Sequence, residues 1–254
     1  ALHHNLKTDY DWYDGVREIP NHVKIVTISH HLAHAYSAYY LSGFDEASIL
    51  VVDECGSPIE YCIDLEGAYI PEYVKNLERS IRVESNSYYK ATGNRIESMY
   101  KDFSPYVTCP IPYSPVFAHA ENSIGNLYAE VSKYIFGLYP DLGKLMGLAA
   151  YGKGKIYSKD LFYLAEDGSL RANIEELNLL HKNARSDEDF KERFSYFSTV
   201  AGDTQKGIED ILVLLANHRY KLNPSDNLCY AGGVALNAVA NTRILNETPF
   251  KRLF

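Results

Sequence analysis

Residues 47–52 read Ala-Ser-Ile-Leu-Val-Val, an apolar run almost without polar alternation. A strand with one wet face alternates apolar and polar side chains, so this run fits a strand covered on both faces. The fold then needs layers on each side of a sheet. With 254 residues, 46% of them hydrophobic and 23% charged, the chain is long enough to supply those layers in one large domain or two lobes. Upstream, residues 23–28 read as a short strand running into a helix that Ser42-Gly43 ends. Downstream, Asp53-Glu54-Cys55-Gly56-Ser57-Pro58 reads as a tight turn into a strand over 59–63. Asp64-Leu65-Glu66-Gly67 reads as a second turn into 68–70, giving an antiparallel meander hung on the buried strand.

From about residue 72 to 119, Tyr, Ser, Asn and charged residues dominate with little periodicity, and Pro110, Pro112 and Pro115 fall near the end. This stretch reads as an irregular surface insertion. Helical pattern resumes at 123–136, 173–180 and 188–194, and over 200–222, where Ile208, Ile211, Leu212, Leu214 and Leu215 recur at helical spacing. A last strand at 227–230 leads through Ala231-Gly232-Gly233 into a helix over 234–245. There is no internal repeat.

The formal charge of −8 speaks against a nucleic-acid surface, because phosphate binding draws on clustered Lys and Arg. Cys55, Cys62, Cys109 and Cys229 form no C-x-x-C pair, so neither a disulfide framework nor a cysteine zinc site is indicated, and a reducing cytoplasm is the expected compartment. No apolar run reaches the roughly 20 residues of a membrane span. The start, Ala1-Leu2-His3-His4-Asn5, has neither an initiator Met nor the shape of a signal peptide.

Against this background His30 and His34 stand out. Their i, i+4 spacing puts two imidazoles on one helix face, and Asp53, delivered by the end of the buried strand, supplies a carboxylate that completes a set for one divalent cation. Two nitrogens and one oxygen suit iron or zinc. A chain with nine His also produces such a spacing by accident. Gly232-Gly233, where a strand opens into a helix, lets backbone approach an anion or nucleotide, or simply turns a corner; Asn237 follows closely. In Gly143-Lys144-Leu145-Met146-Gly147, Lys144 pairs with phosphate or is merely solvated, and Gly147 permits close packing.

Taken in order, HHLAHAYSAYY, SGFDEASILVVD, NSIGNLY, GKLMGLAAYG and CYAGGVALNAVANTRIL resemble the NodU/CmcH family of O-carbamoyltransferases, with Ala201, Gln205 and Glu209 in the intervening helix. The resemblance spans roughly residues 23–245. It implies an α/β, actin-like ATPase (ribonuclease H-like) fold, incomplete at both ends, with a mixed sheet flanked by helices. Residues 1–43 would end a first lobe, and 44–254 would form most of a second.

The implied activity is transfer of a carbamoyl group from carbamoyl phosphate, through a carbamoyl-adenylate made with ATP, to a hydroxyl of a small-molecule acceptor. His30, His34 and Asp53 would be metal ligands for Fe2+ or another divalent metal and the catalytic set. Asp53 to Ser57, with Gly56, would form a phosphate-facing hairpin, Lys144 and Gly147 a wall of the nucleotide cleft, and Gly232, Gly233 and Asn237 the adenosine motif. His31, about 100° round the helix from His30, is expected to support or pack. A separate carboxy-terminal domain that makes the carbamoyl-adenylate is the implied partner. Two positions depart from the family pattern: Glu54 stands where Gly is usual, and Leu142 where an acidic residue is usual. Threonylcarbamoyl transfer to tRNA by a related actin-like enzyme and a non-catalytic nucleotide-binding domain are the alternatives.

Overall fold

Strand β1 (Glu46–Val52) is buried at every position after the first. Ala47, Ile49 and Val51 cluster with Leu32, Ala35 and Tyr39, whereas Leu50 and Val52 belong to a second, larger cluster on the other face. A period of two thus delivers apolar side chains to both sides of the sheet, as the unalternating run requires. The first face is covered by α1 (His30–Ser42), which Gly43 ends in the left-handed conformation at φ 71°.

The computed structural model describes residues 22, 24, 26–76, 81–106, 122–137, 141–173, 175, 176 and 189–254. After β1 come a short 3-10 turn (Ile59–Tyr61), α2 (Glu72–Lys75), β2 (Ile81–Thr92) and β3 (Arg95–Tyr106). Then follow α3 (Ile124–Phe136), α4 (Leu142–Ala149), β4 (Phe162–Leu164), β5 (Leu170–Ala172), α5 (Asp189–Glu192) and α6 (Phe194–Tyr220). The chain closes with β6 (Asn227–Ala231), a 3-10 turn (Gly233–Leu236), α7 (Ala238–Glu247) and β7 (Arg252–Leu253).

Among the described residues the main sheet runs β3-β2-β1-β6-β7. β1, β2 and β3 are antiparallel neighbours, while β1, β6 and β7 are parallel. The second face is covered by α3, α4, α6 and α7 through Leu127, Val131, Leu145, Ile208, Leu212 and Ile244. This is the mixed α/β architecture of the actin-like class, a mixed sheet flanked by helices. No described helix is long and apolar enough to cross a membrane.

Several local expectations change. Residues 24 and 26–28 form no strand, and 23 and 25 lie outside the described residues; a strand needs a ladder, and no described residue pairs with this stretch. The meander exists, but its second and third strands are β2 and β3. Where a strand was expected over 59–63 there is the 3-10 turn, entered from Pro58 and closed by the Tyr61 amide on Pro58 O and the Cys62 amide on Ile59 O. Over 68–70 only an isolated bridge forms, between Tyr69 and Tyr100.

The irregular insertion expected over 72–119 is corrected most. Its described part holds α2 and the paired β2–β3 hairpin, with Tyr88, Tyr89, Tyr100 and Phe103 fully buried; residues 77–80 and 107–119 are outside the described set. The expected helix at 173–180 is helical at 175 and 176, its remaining positions beyond 173 lying outside that set. The expected helix over 234–245 is divided: a 3-10 turn comes first, then Asn237 caps α7 by accepting the Ala240 amide at 3.2 Å.

Candidate functional site

The first two turns of α1 and the carboxyl end of β1 meet at three side chains. His30 Nε2 and His34 Nε2 each lie 3.0 Å from Asp53 Oδ2 and 3.2 Å from each other. A metal about 2.0–2.2 Å from each of three such ligands, at bond angles of about 90–110°, holds their donor atoms about 3.0–3.5 Å apart. The triangle has that size. Two ring nitrogens facing at 3.2 Å cannot both carry protons toward each other without repulsion, and a central cation accepts all three lone pairs at once. The residues present therefore fit a divalent metal.

Asp53 faces two ways. Its Oδ1 accepts the Glu54 amide at 2.8 Å and the Gly233 amide at 3.0 Å. Burial alone would push the Asp53 carboxyl up, but hydrogen bonds from His30, His34 and these two amides hold it far below the usual carboxylate range. The bond to Asp53 raises the His30 ring, with partial burial opposing. His31 points inward: burial drives it down to about 4, and its Nδ1 meets Ser87 Oγ at 2.8 Å.

On the far side of Asp53 opens a cavity of about 280 Å³. Asp53, Glu54, Gly233 and Asn237 are part of its lining, and Ile124, Tyr128, Leu142, Met146, Ile208 and Leu236 give most of its apolar wall. Glycine is required by contact at its edge. A Cβ on Gly232, whose φ is +96°, would lie 2.2 Å from Val52 O, and one on Gly125 would lie 2.7 Å from the Glu54 backbone. These approaches seat the turn after β6 and the start of α3 against the end of β1.

Residues 16–254 match the family described as Carbamoyltransferase N-terminus. The chain belongs to that family. It is similar to the nodulation protein NolNO of Sinorhizobium fredii, 27% identical over 240 residues covering 91% of this chain and 28% of the relative. It is also similar to the uncharacterized protein MJ1058 of Methanocaldococcus jannaschii, 30% identical over 235 residues covering 89% of this chain and 33% of the relative. The chain spans about a third of the length of the curated relatives it matches. In fold it is similar to the crystal structure of T. kodakarensis HypF, with a TM-score of 0.52 at 12% identity over 92% of this chain and 34% of that one.

Within this carbamoyltransferase N-terminal fold the expected site residues divide. Asp53, Gly233 and Asn237 line the cavity, and Gly232 shapes its edge. Asn237 is nevertheless satisfied within the chain, exchanging two amide bonds of 2.9 Å with Gln205. Ser57 Oγ accepts the His30 amide at 2.9 Å, so it anchors α1, and Gly56 packs against Glu84 and His31. Lys144 lies outside the lining, 70% exposed and paired with Asp141 at 2.8 Å, and Gly147 faces open space. Both departing residues, Glu54 and Leu142, are in the lining. Gly125, Tyr128, Met146 and Leu236 were not read as site residues, although NSIGNLY, GKLMGLAAYG and CYAGGVALNAVANTRIL contain them, and Ile208 was read only as an apolar position of a helix; nothing in their spacing separates wall from core.

Proposed function

We propose that this chain is the metal- and nucleotide-holding part of an O-carbamoyltransferase. The whole protein would move a carbamoyl group from carbamoyl phosphate, through a carbamoyl-adenylate made with ATP, to a hydroxyl of a small-molecule acceptor. The observation that carries this reading is the shared carboxylate: Asp53 Oδ2 belongs to the His30–His34 triangle, and Asp53 Oδ1 holds the glycine turn at the cavity. Metal and adenylate would then be neighbours through one side chain.

The chain's own groups set the division of labour. The apolar wall suits a flat base, and the two acidic residues of the lining, Asp53 and Glu54, would repel a polyphosphate or an adenylate unless a cation lay between. His30, His34 and Asp53 would hold that cation, ferrous iron or another divalent ion, which when bound supplies Lewis acidity toward a carbonyl or phosphoryl oxygen. The Gly233 and Glu54 amides keep Asp53 ionised and oriented. An adenylate-forming carboxy-terminal domain would supply the activated carbamoyl group.

Equilibrium dialysis against Fe2+ under anaerobic conditions tests the metal half. The chain should retain about one equivalent, and a His30→Ala, His34→Ala variant with an unchanged circular dichroism spectrum should retain none. Equal iron in both would remove the site.

A further inference from the structure

The described residues hold a second group of metal-type side chains, Cys62, Asp64 and Glu84. A cation of the chain's own sits among them: Lys101 Nζ lies 2.7 Å from Asp64 Oδ2 and 2.6 Å from Glu84 Oε1, and it donates to the Tyr89 hydroxyl at 3.1 Å. The Lys101 and Glu84 side chains are completely buried. With an ammonium between its carboxylates this cluster is a salt-bridged core; Asp64 also accepts the Tyr89 and Ser98 hydroxyls from the hairpin, while Glu84 bonds the helix and loop that carry the His30–His34–Asp53 triangle.

Helix α1 begins after Ser29 without a side-chain cap. Its first amides find partners elsewhere, His30 N donating to Ser57 Oγ at 2.9 Å and His31 N to Glu84 Oε2 at 3.2 Å. The same Oε2 accepts the Ser57 amide at 2.9 Å. The Glu84 backbone adds two bonds to that loop, from its amide to Ser57 O at 3.1 Å and to its carbonyl from the Gly56 amide at 2.8 Å. Asp64 Oδ1 accepts the Ser29 hydroxyl, whose oxygen accepts the Ile63 amide at 2.9 Å. Gly56 has no room for a side chain, since a Cβ there would lie 2.6 Å from Glu84 Oε2 and 2.9 Å from His31 Cδ2. Two carboxylates and one ammonium leave one negative charge beneath the positive end of the α1 dipole, which is the favourable sign.

We propose that Glu84, held by Lys101, is the positioning residue of the triad. One oxygen bonds the first turn of α1, which carries His30, and the loop that begins at Asp53, so it fixes the separation between the imidazoles and the carboxylate. Lys101 neutralises Glu84 and blocks any other rotamer of the carboxylate. The inference rests on the metal reading of the triad, but its geometry exists without metal.

Glu84→Gln tests it. In the metal-free chain, exchange of the His31 and Ser57 amides should speed up by at least about tenfold, the loss expected when a charge-assisted bond is weakened, and the His30 and His34 ring resonances should move. With Co2+ as probe, affinity should fall by about 10- to 100-fold, as for lost outer partners of metal ligands, and the visible absorption bands should shift. If the single variant does not melt cooperatively, Glu84→Gln with Lys101→Met and Asp64→Asn removes the buried cation along with both of its carboxylate partners and is read the same way.

Ring resonances and cobalt bands both unchanged in a folded variant would overturn the positioning role. If the unaltered chain binds neither Co2+ nor Fe2+, the metal reading fails. The ring resonances then decide alone: displacement by Glu84→Gln supports the clamp, and identity overturns it.

Discussion

Gly232 and Gly147 were expected to serve the same cleft, yet they meet opposite surroundings. Gly232 holds φ +96°, and a Cβ would fall 2.2 Å from Val52 O, so Gly232→Ala should lower stability by about 1–3 kcal/mol or more in urea melts and distort the turn that delivers the Gly233 amide to Asp53. Gly147 is exposed within α4, and a Cβ there meets nothing within 4 Å. Gly147→Ala should raise stability by about 0.5–1 kcal/mol through helix propensity alone and leave nucleotide affinity unchanged. A stable Gly232→Ala chain, or a Gly147→Ala chain that loses nucleotide, would contradict these contacts. Lys144 follows the same logic: its ion pair with Asp141 is solvated and adds little to stability, and its charge lies outside the cavity lining.

Helix α1 is tied to β2 by His31, and this tie makes stability depend on pH. His31 is fully buried and pushed from 6.5 to about 4, so protonation favours the unfolded chain. Its contribution is complete above pH 6.5 and drains away as pH falls toward 4, by at most about 3 kcal/mol. His30, raised by Asp53, acts with the opposite sign, but it is half exposed and weaker. Asp64 and Glu84, both lowered, lose their contributions only further down, as pH falls through their folded values. Urea melts of the metal-free chain from pH 7.5 to 4.5 should show the loss, and His31→Asn should flatten it; a level profile in the unaltered chain would exclude the buried neutral ring.

Element by element, what the sequence disclosed follows from which physical signal each element uses. α1 and β1 use the strongest ones, helical spacing ended by a left-handed glycine and a doubly apolar strand. The β2–β3 hairpin was hidden because much of what it buries is polar: Glu84, Asn86, Ser87, Lys101, Asp102 and Ser104 are all buried, most of them in hydrogen bonds rather than apolar contact. Hydrophobic periodicity is blind to such a layer. The turn Gly93-Asn94 between two Tyr-bearing runs was the legible sign of the hairpin, with Gly93 at φ +56°. The triad was visible because i, i+4 spacing is local, whereas the cavity wall is assembled from α3, α4, α6 and the last 3-10 turn, which no local pattern links.

At the scale of the whole molecule, the site lies where the parallel pair β1 and β6 ends, with α1 on one face of the sheet and α3, α4 and α6 on the other. Ligands of open α/β sheets bind at such carboxyl ends. Asp53 is placed to connect the two faces, so metal and nucleotide should be thermodynamically coupled and each should tighten the other by the same factor. The decisive experiment is a calorimetric titration of ATP and of AMP into the anaerobic chain, with and without Fe2+, repeated on the His30→Ala, His34→Ala variant. Nucleotide affinity at least about fivefold tighter with iron, and no iron effect in the variant, is the result expected of a carboxylate shared by triad and cavity. Nucleotide binding that is identical with and without bound iron would contradict it.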